Sequence, residues 1–354
     1  MGAGYQVHST LFVAAESRKV LGLGDQEAWI RETKEKRPGK ATRQQRPYQE
    51  KESYKWSAAF QRMKYRMGDI SKVITVCDRE ADIFEFLHEL ADQNARFVIR
   101  VSRDRALSDE EKTLFDEIKA LPEKGKTSVP IEQRGAQRTL HGKQSARATR
   151  RGRTGQLIVQ AGKMNLTALS KKKQSASSTL PVNVVHVHEA AIDSEKEGIS
   201  WMLFTTEPID ELEHCLKVIG HDSARWLIEE FHKAWKIGCK IEERNLQTFE
   251  NIERMMAMTA PIAVRILQLR STFQEAPDAP CDVFFSEAEW MCLWLATEKK
   301  KPPQQIPTMK WAYDALAKRV GWIDSQKTGR GWIEHAVGGL GEIERTGHWI
   351  SDCI

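Results

Sequence analysis

A charged stripe on one predicted helix is the first feature of the sequence that could do chemistry. Residues 222–236 have helical periodicity, and at about 100° per residue a set of four side chains falls within a stripe of roughly 60°. These side chains are Arg225, Glu229, His232 and Lys236. One face therefore combines a carboxylate with three groups that can contact phosphate. A solvated face with internal salt bridges has the same pattern, so both interpretations stay open from the stripe alone.

A second carboxylate, Asp78, directly follows a short apolar run, residues 73–77. A helical pattern comes next, and residues 96–101 form another predicted strand, so the segment predicts a βαβ unit with functional groups at the C-terminal ends of its strands. A carboxylate placed there can share divalent metal with one from a packed helix, and two such metals support phosphoryl transfer. Asp78 could equally be the N-cap of the helix that follows.

The elements around these residues alternate between strands and helices. Residues 7–13 and 19–23 predict a hairpin around a polar turn at 16–18. Trp56, Phe60 and Met63 recur at helical spacing. Residues 102–200 predict short strands, such as 157–159 and 182–187, and the chain from residue 210 onward is helical by period. The composition therefore predicts an α/β protein with a β-rich insertion and a helical C-terminal region.

Charge and cysteine usage narrow the functional classes. The net charge is only +5, yet thirteen Lys or Arg residues and one acid, Glu132, lie between Lys124 and Lys173. Clustered cations bind nucleic acid by releasing counterions, although a solvated surface has the same composition. No apolar run reaches the length of about 18 residues that spans a bilayer, so we expect a cytoplasmic protein without a membrane partner.

Two patterns argue against a soft-metal site. The six cysteines show no Cys-x-x-Cys spacing, which excludes a typical zinc site or disulfide framework. His186 and His188 fall on one face of a predicted strand. They could supply two metal ligands, but ordinary polar strand positions are the favoured interpretation.

Two stretches, residues 76–83 (VCDREADI) and 225–236 (RWLIEEFHKAWK), closely resemble the transposon-five-like branch of the insertion-sequence-four transposase family. Shorter agreements extend the resemblance from about Val7 to Trp332, weakest in the insertion. The resemblance implies a ribonuclease H-like core, a mixed sheet flanked by helices, with an Asp-Asp-Glu triad that binds two Mg²⁺ or Mn²⁺ ions. It also implies cut-and-paste transposition, in which double-stranded DNA is cleaved at the element ends through a hairpin and joined to target DNA by a homodimer.

The resemblance assigns roles to individual residues. Asp78 matches the second aspartate of the triad and Glu229 the glutamate, so both are expected to be catalytic and to bind metal. The signature around that glutamate is matched by Arg225 and Lys236, but its tyrosine position holds Asp222, which we expect to place a negative charge near phosphate. The expected DNA-binding residues are Arg100, Trp201, Arg225, His232, Lys233 and Lys236, with Trp201 stacking on a flipped base.

The first aspartate of the triad would precede Val7 in the family pattern, so we expect an N-terminally truncated and inactive chain. Asp25 is expected to lie after the hairpin and to be a poor substitute. The expected domains are a core (residues 1–101 and 201–237), a basic β-rich insertion (102–200) and a helical region for dimerisation (238–354). The alternative function is a truncated DNA- or partner-binding inhibitor of the full-length transposase.

Overall fold

The computed structural model describes residues 5–30, 46–105, 107, 113–131, 153–167, 179–189, 199–239, 241, 246 and 248–319. The chain divides into two compact units. The sheet unit comprises residues 38–225, and the helical unit comprises residues 1–37 and 226–354. The domain boundaries expected at residues 102, 200 and 237 stay predictions.

The sheet unit is built on a six-stranded mixed sheet with the order β3-β4-β8-β7-β6-β5. β3 and β4 are parallel, and the remaining pairs are antiparallel. The strands are β3 (Ile74–Cys77), β4 (Arg96–Arg100), β5 (Glu123–Ile131), β6 (Arg153–Thr167), β7 (Thr179–Glu189) and β8 (Ser200–Thr205). The predicted βαβ unit is confirmed, because a helix joins β3 to its parallel neighbour β4.

Helices cover both faces of this sheet. Alternate residues of β4 point to opposite sides, so Phe97 and Ile99 join one hydrophobic cluster while Val98 joins another. Three helices pack on the first face: α1 (Lys55–Met67), α2 (Phe84–Asp92) and α3 (Leu114–Lys119). The second face is covered by α4 (Leu212–Ala224), which contributes the buried Cys215 and Val218. The sheet unit is thus a mixed α/β structure, as predicted.

The β-rich character of the insertion is confirmed, but two of its strands are longer than the apolar runs that predicted them. β6 and β7 span 15 and 11 residues. They continue the main sheet, since β7 pairs with β8 and β8 pairs with β4. Beyond the predicted run 157–159, the buried residues Ala161, Met164 and Leu166 of β6 support this pairing. Most of the basic stretch, residues 132–152 and 168–178, lies outside the described residues.

The helical unit contains a two-stranded antiparallel hairpin, β1 (Tyr5–Val13) and β2 (Val20–Ile30). The predicted hairpin is confirmed, with Arg18 in the left-handed region at its turn. The prediction that Asp25 follows the hairpin was wrong. Because β2 pairs with β1 as far as Ile30, Asp25 lies within β2 opposite Thr10 and is buried.

Helices make up most of the remaining helical unit. They are α5 (Trp226–Lys233), a π-helix (Ala234–Gly238), α6 (Phe249–Glu275), α7 (Glu287–Glu298) and α8 (Met309–Arg319). Phe231 and Trp235 are buried against Ala260 and Val264 of α6. The prediction of a helical C-terminal region is confirmed for residues 248–319. None of the described helices is both long and apolar enough to cross a membrane.

The stretch predicted as one regular helix, residues 222–236, is interrupted twice. α4 ends at Ala224, α5 begins at Trp226, and the chain changes to a π-helix at Ala234. The adjacent residues Ala234 and Trp235 are both buried in the core of the helical unit. The wider turn of a π-helix departs from 100° per residue, so the predicted stripe does not extend regularly to Lys236.

Candidate active site

Asp78 stands at the C-terminal end of β3, as predicted, and is partly buried. It is also the N-cap of a single 3₁₀ turn, Arg79–Ala81, because its Oδ1 accepts a hydrogen bond of 2.8 Å from the Glu80 backbone N–H. Oδ2 forms no hydrogen bond with another described residue. The two sequence interpretations are therefore compatible: one oxygen caps the turn, and the other remains available as a ligand.

Arg100 ends the strand beside Asp78. Cys77 and Ile99 are partners in the parallel register of β3 and β4, so the residues that follow them, Asp78 and Arg100, lie at the same C-terminal end of the two strands. The guanidinium of Arg100 is held by the carboxylate of Asp222. Nε donates to Oδ1 at 2.8 Å and to Oδ2 at 3.0 Å, and Nη2 donates to Oδ2 at 2.6 Å.

The carboxylate of Asp222 is buried, with 2% of its side chain exposed. Arg225 lies on its other side, with Nε 3.8 Å from Oδ1. The negative charge of Asp222 is thus buried and paired with two arginines. Its expected position near phosphate stays a prediction. Burial raises the pKa of the Cys77 thiol, Asp78 raises it further and Arg225 lowers it, which places the Arg225 charge near the end of β3.

Trp201 lies in β8 opposite Val187 and packs against the hydrophobic cluster under α4. It is partly buried, and its indole N–H is buried without a hydrogen-bond partner in the described part of the chain. Part of the ring therefore has a structural role in the core. The expected stacking on a base stays a prediction.

Glu229 lies on α5 in the helical unit and is exposed. Its carboxylate forms no hydrogen bond or ion pair with any residue that the structure describes. Glu230, its neighbour, instead accepts a 2.9 Å hydrogen bond from Arg270 of α6. Phe231 is buried in the core of the unit, and Leu227 packs against that core.

His232, Lys233 and Lys236 follow Glu229 along the chain. Burial lowers the pKa of His232, Lys236 lowers it further and Glu229 raises it. His232 therefore lies within electrostatic reach of both Glu229 and Lys236, while Lys233 and Lys236 are exposed. Their expected contact with DNA stays a prediction.

A family model described as a transposase DDE domain matches residues 58–264, which is more than half of the chain. The chain belongs to this transposase family. The match contains both candidate carboxylates and all six expected DNA-binding residues. Membership supports a transposase in general, an enzyme that acts on DNA with the help of divalent metal.

Asp82 lies next to the candidate site and was given no role in the sequence analysis. Its carboxylate is fully buried and accepts hydrogen bonds from the Ser102 N–H at 2.8 Å, the Ser102 hydroxyl at 3.2 Å and the Arg103 N–H at 3.1 Å. The guanidinium of Arg105 donates to its other oxygen. Asp82 thus ties the turn capped by Asp78 to the segment that follows Arg100. Its spacing of four from Asp78 was the only signal in the sequence.

The sequence predicts Asp78 and Glu229 as metal ligands. Carboxylate oxygens suit Mg²⁺ and Mn²⁺, so the chemistry of these residues fits the expected ions. Among the described residues, no group of three or more His, Cys, Asp or Glu side chains gathers around one point. Whether Asp78 and Glu229 share an ion stays a prediction.

His186 and His188 stack with ring centroids 4.8 Å apart. His186 is buried, and its two ring nitrogens contact Gln160 at 2.9 Å and Ser200 at 3.2 Å. Burial, together with His188 and Lys119, lowers the pKa of His186 to about 4. Both nitrogens of His186 are engaged with side chains of neighbouring strands, which favours the interpretation of this pair as structural polar residues.

Proposed function

We propose that this transposase belongs to the insertion-sequence-four type and performs cut-and-paste transposition on a ribonuclease H-like core. It nicks the element end, the freed 3′-hydroxyl attacks the opposite strand to give a hairpin, and the opened end is joined to target DNA. The observation that carries the proposal is the juxtaposition of Asp78, with one available oxygen, and Arg100 at the ends of adjacent parallel strands.

The expected site residues have two kinds of chemistry. Asp78 and Glu229 would hold Mg²⁺ or Mn²⁺, which would supply charge stabilisation at the phosphoryl group. The guanidinium groups of Arg100 and Arg225 contact nearby phosphates of the DNA backbone. Arginine suits that contact because its planar fork matches phosphate oxygens.

The remaining expected contacts come from exposed cations and one aromatic ring. Lys233 and Lys236 are exposed in the helical unit and contact the DNA backbone, together with His232. Trp201 stacks on a flipped base, an interaction worth about 1–3 kcal/mol. Two copies of the chain act together on paired double-stranded ends.

The metal component is tested with Mn²⁺ titrated by calorimetry into the wild type, Asp78→Asn and Glu229→Gln. Asp69→Asn, which changes an exposed carboxylate outside the site, and Glu253→Gln on the outside of α6 are the matched controls. Both site variants should lose Mn²⁺ affinity, and both controls should retain it. A crystal structure with Mn²⁺ bound to neither Asp78 nor Glu229, or equal affinity in all five proteins, contradicts the proposal.

The activity component is tested on duplexes that carry the DNA flanking the gene. Nicking of these duplexes with Mg²⁺ or Mn²⁺ should be lost in Asp78→Asn and in Glu229→Gln, and retained in Asp69→Asn and Glu253→Gln. Nicking that survives both site changes would overturn the assignment of these carboxylates.

A further inference from the structure

Asp222 occupies a place in the sheet unit that no role in the proposed reaction explains. We propose that it is a positioning residue, which fixes the guanidinium of Arg100 in the orientation that binds a DNA phosphate. The proposal rests on the proposed function for the identity of the ligand. It rests on the geometry of Arg100, Asp222 and Arg225 for the mechanism.

The contact uses one side of the guanidinium. Nε and Nη2 of Arg100 both face the Asp222 carboxylate, at 2.6 to 3.0 Å. Nη1 forms no hydrogen bond with any residue in the described ranges. An arginine held in this way keeps an end-on pair of N–H groups, on Nη1 and on the outer side of Nη2, for a second planar or tetrahedral anion.

The proposal requires an arginine that a ligand can reach and a carboxylate that it cannot, and the exposure of the two side chains meets this requirement. The Arg100 side chain is 26% exposed, whereas that of Asp222 is 2% exposed. A phosphate can therefore reach the guanidinium without meeting the carboxylate directly. The buried carboxylate orients the guanidinium from the side that faces the protein interior. The ligand contacts only the guanidinium.

Arg225 completes the arrangement. Its side chain is 16% exposed, and its Nε is buried without a hydrogen bond inside the described part of the chain, at 3.8 Å from Asp222. Arg100, Arg225 and Asp222 together carry a net charge of +1, and Asp78 at the end of β3 carries a separate negative charge. The cluster is thus suited to an anion, and Asp222 limits the repulsion between Arg100 and Arg225 that would otherwise drive them apart.

The proposal predicts a coupling between Asp222 and Arg100 that a simple charge effect lacks. An arginine that must be ordered on binding costs affinity, so Asp222→Asn should weaken DNA binding by about three- to tenfold. In an Arg100→Gln background, the same change should cause no weakening, because no guanidinium remains to be oriented. Arg100→Lys, which keeps the charge but loses the planar fork, should resemble Asp222→Asn.

The experiment is a double-mutant cycle of Asp222→Asn and Arg100→Gln. Binding to a fluorescein-labelled duplex of random sequence is followed by anisotropy, without divalent metal, at salt concentrations from about 50 to 200 mM. Glu213→Gln is the matched control, because it removes one negative charge from an exposed position on the same helix. Thermal unfolding confirms that each variant is folded, and Arg100→Lys carries the test if Asp222→Asn is not.

Each outcome of the double-mutant cycle either supports or overturns the positioning role of Asp222. Weakening by Asp222→Asn that disappears without Arg100 supports the proposal. Tighter binding that depends on Arg100 shows that Asp222 masks the arginine, and equal effects in both backgrounds show a simple charge effect; either result overturns the proposal. Weakening of Asp222→Asn no larger than that of Glu213→Gln overturns it as well.

A second probe separates this inference from the proposed function. Inorganic pyrophosphate is titrated into the same proteins by calorimetry. If the wild type fails to bind any duplex yet binds pyrophosphate, and Asp222→Asn loses that binding, the transposase proposal fails while the role of Asp222 stands. If the wild type binds neither probe, Arg100 takes no phosphate and both proposals fail.

Discussion

Replacing Asp82 by alanine should destabilise the sheet unit more than any change to an exposed carboxylate. The carboxylate is fully buried and accepts four hydrogen bonds, from the Ser102 N–H and hydroxyl, the Arg103 N–H and the Arg105 guanidinium. Arg105 has only 1% of its side chain exposed. The substitution therefore leaves a buried guanidinium without its counter-charge and two backbone N–H groups without an acceptor.

The magnitude follows from the cost of an unpaired buried charge. Breaking a buried ion pair by removing one partner costs about 3–5 kcal/mol. Nε and Nη1 of Arg105 already have no hydrogen-bond partner in the described ranges, so no second acceptor compensates for the loss. Contact of the guanidinium with the Phe204 ring, 5.7 Å from its centroid, supplies only partial stabilisation. For a unit of this size the loss corresponds to a decrease in melting temperature of roughly 6–20 °C.

The assay is urea unfolding followed by circular dichroism, with the free energy of unfolding taken from linear extrapolation. Asp82→Asn keeps an acceptor for the two backbone N–H groups but leaves the buried charge of Arg105 without a counter-charge. Adding Arg105→Met removes that charge and places a thioether beside Phe204, so the double variant should be more stable than Asp82→Asn alone. Glu250→Ala, which breaks an exposed pair with Arg254, serves as the control and should change little.

Two results would refute this reasoning. The first is a loss of less than about 1 kcal/mol in Asp82→Ala, since an unsatisfied buried polar group alone costs that much. The second is a double variant whose stability equals the sum of the effects of its two single changes. The unpaired charge of Arg105 would then not be the source of the loss.

Three further predictions concern other parts of the molecule. The pKa of His186 is about 4 in the folded state and 6.5 in the unfolded state, so its contribution to stability is present at neutral pH and is lost as the pH falls from 6.5 to 4. Urea unfolding at pH 7 and at about pH 5 should show a loss of roughly 1–2 kcal/mol in the wild type and no such loss in His186→Gln. Thr259→Val removes the acceptor of the 2.8 Å hydrogen bond from the Trp235 indole, which should cost about 1–3 kcal/mol in the same assay, whereas Thr259→Ser should be close to wild type. Charge reversal at Lys236 should weaken duplex binding and reduce its salt dependence more than charge reversal at the exposed Lys300, and equal effects would show that Lys236 makes no particular DNA contact.

Much of the fold could be predicted from periodicity, because burial on one face leaves a pattern in the sequence. The hairpin of β1 and β2, the βαβ unit around β3 and the helices of residues 248–319 all carry that signal. The π-helix at Ala234–Gly238 could not be predicted in the same way. A regular helical period of 3.6 residues does not predict that the adjacent residues Ala234 and Trp235 are both buried in the core.

The sequence named candidate site residues one by one, but it did not show how they pair. Asp78 and Arg100 were identified separately, 22 positions apart in the sequence. Their neighbourhood follows from the parallel register of β3 and β4. The negative charge of Asp222 is visible in the sequence, whereas its burial against Arg100 is not. The sign of a charge follows from one residue, but an ion pair becomes visible only when both partners are placed in space.

Asp78 and Asp82 show how burial assigns roles within a single motif. They are four residues apart and identical in type, yet Asp78 is partly buried with one oxygen left available. Asp82 is fully buried, and both of its oxygens accept hydrogen bonds. A ligand needs an accessible lone pair, so only Asp78 can meet a metal ion, while Asp82 can only hold its surroundings in place. The same distinction separates the exposed Glu229 from the buried Asp222. In both comparisons the residue type does not decide the role. A carboxylate with an unoccupied oxygen can bind a ligand, whereas a carboxylate whose oxygens accept internal hydrogen bonds supports its neighbours.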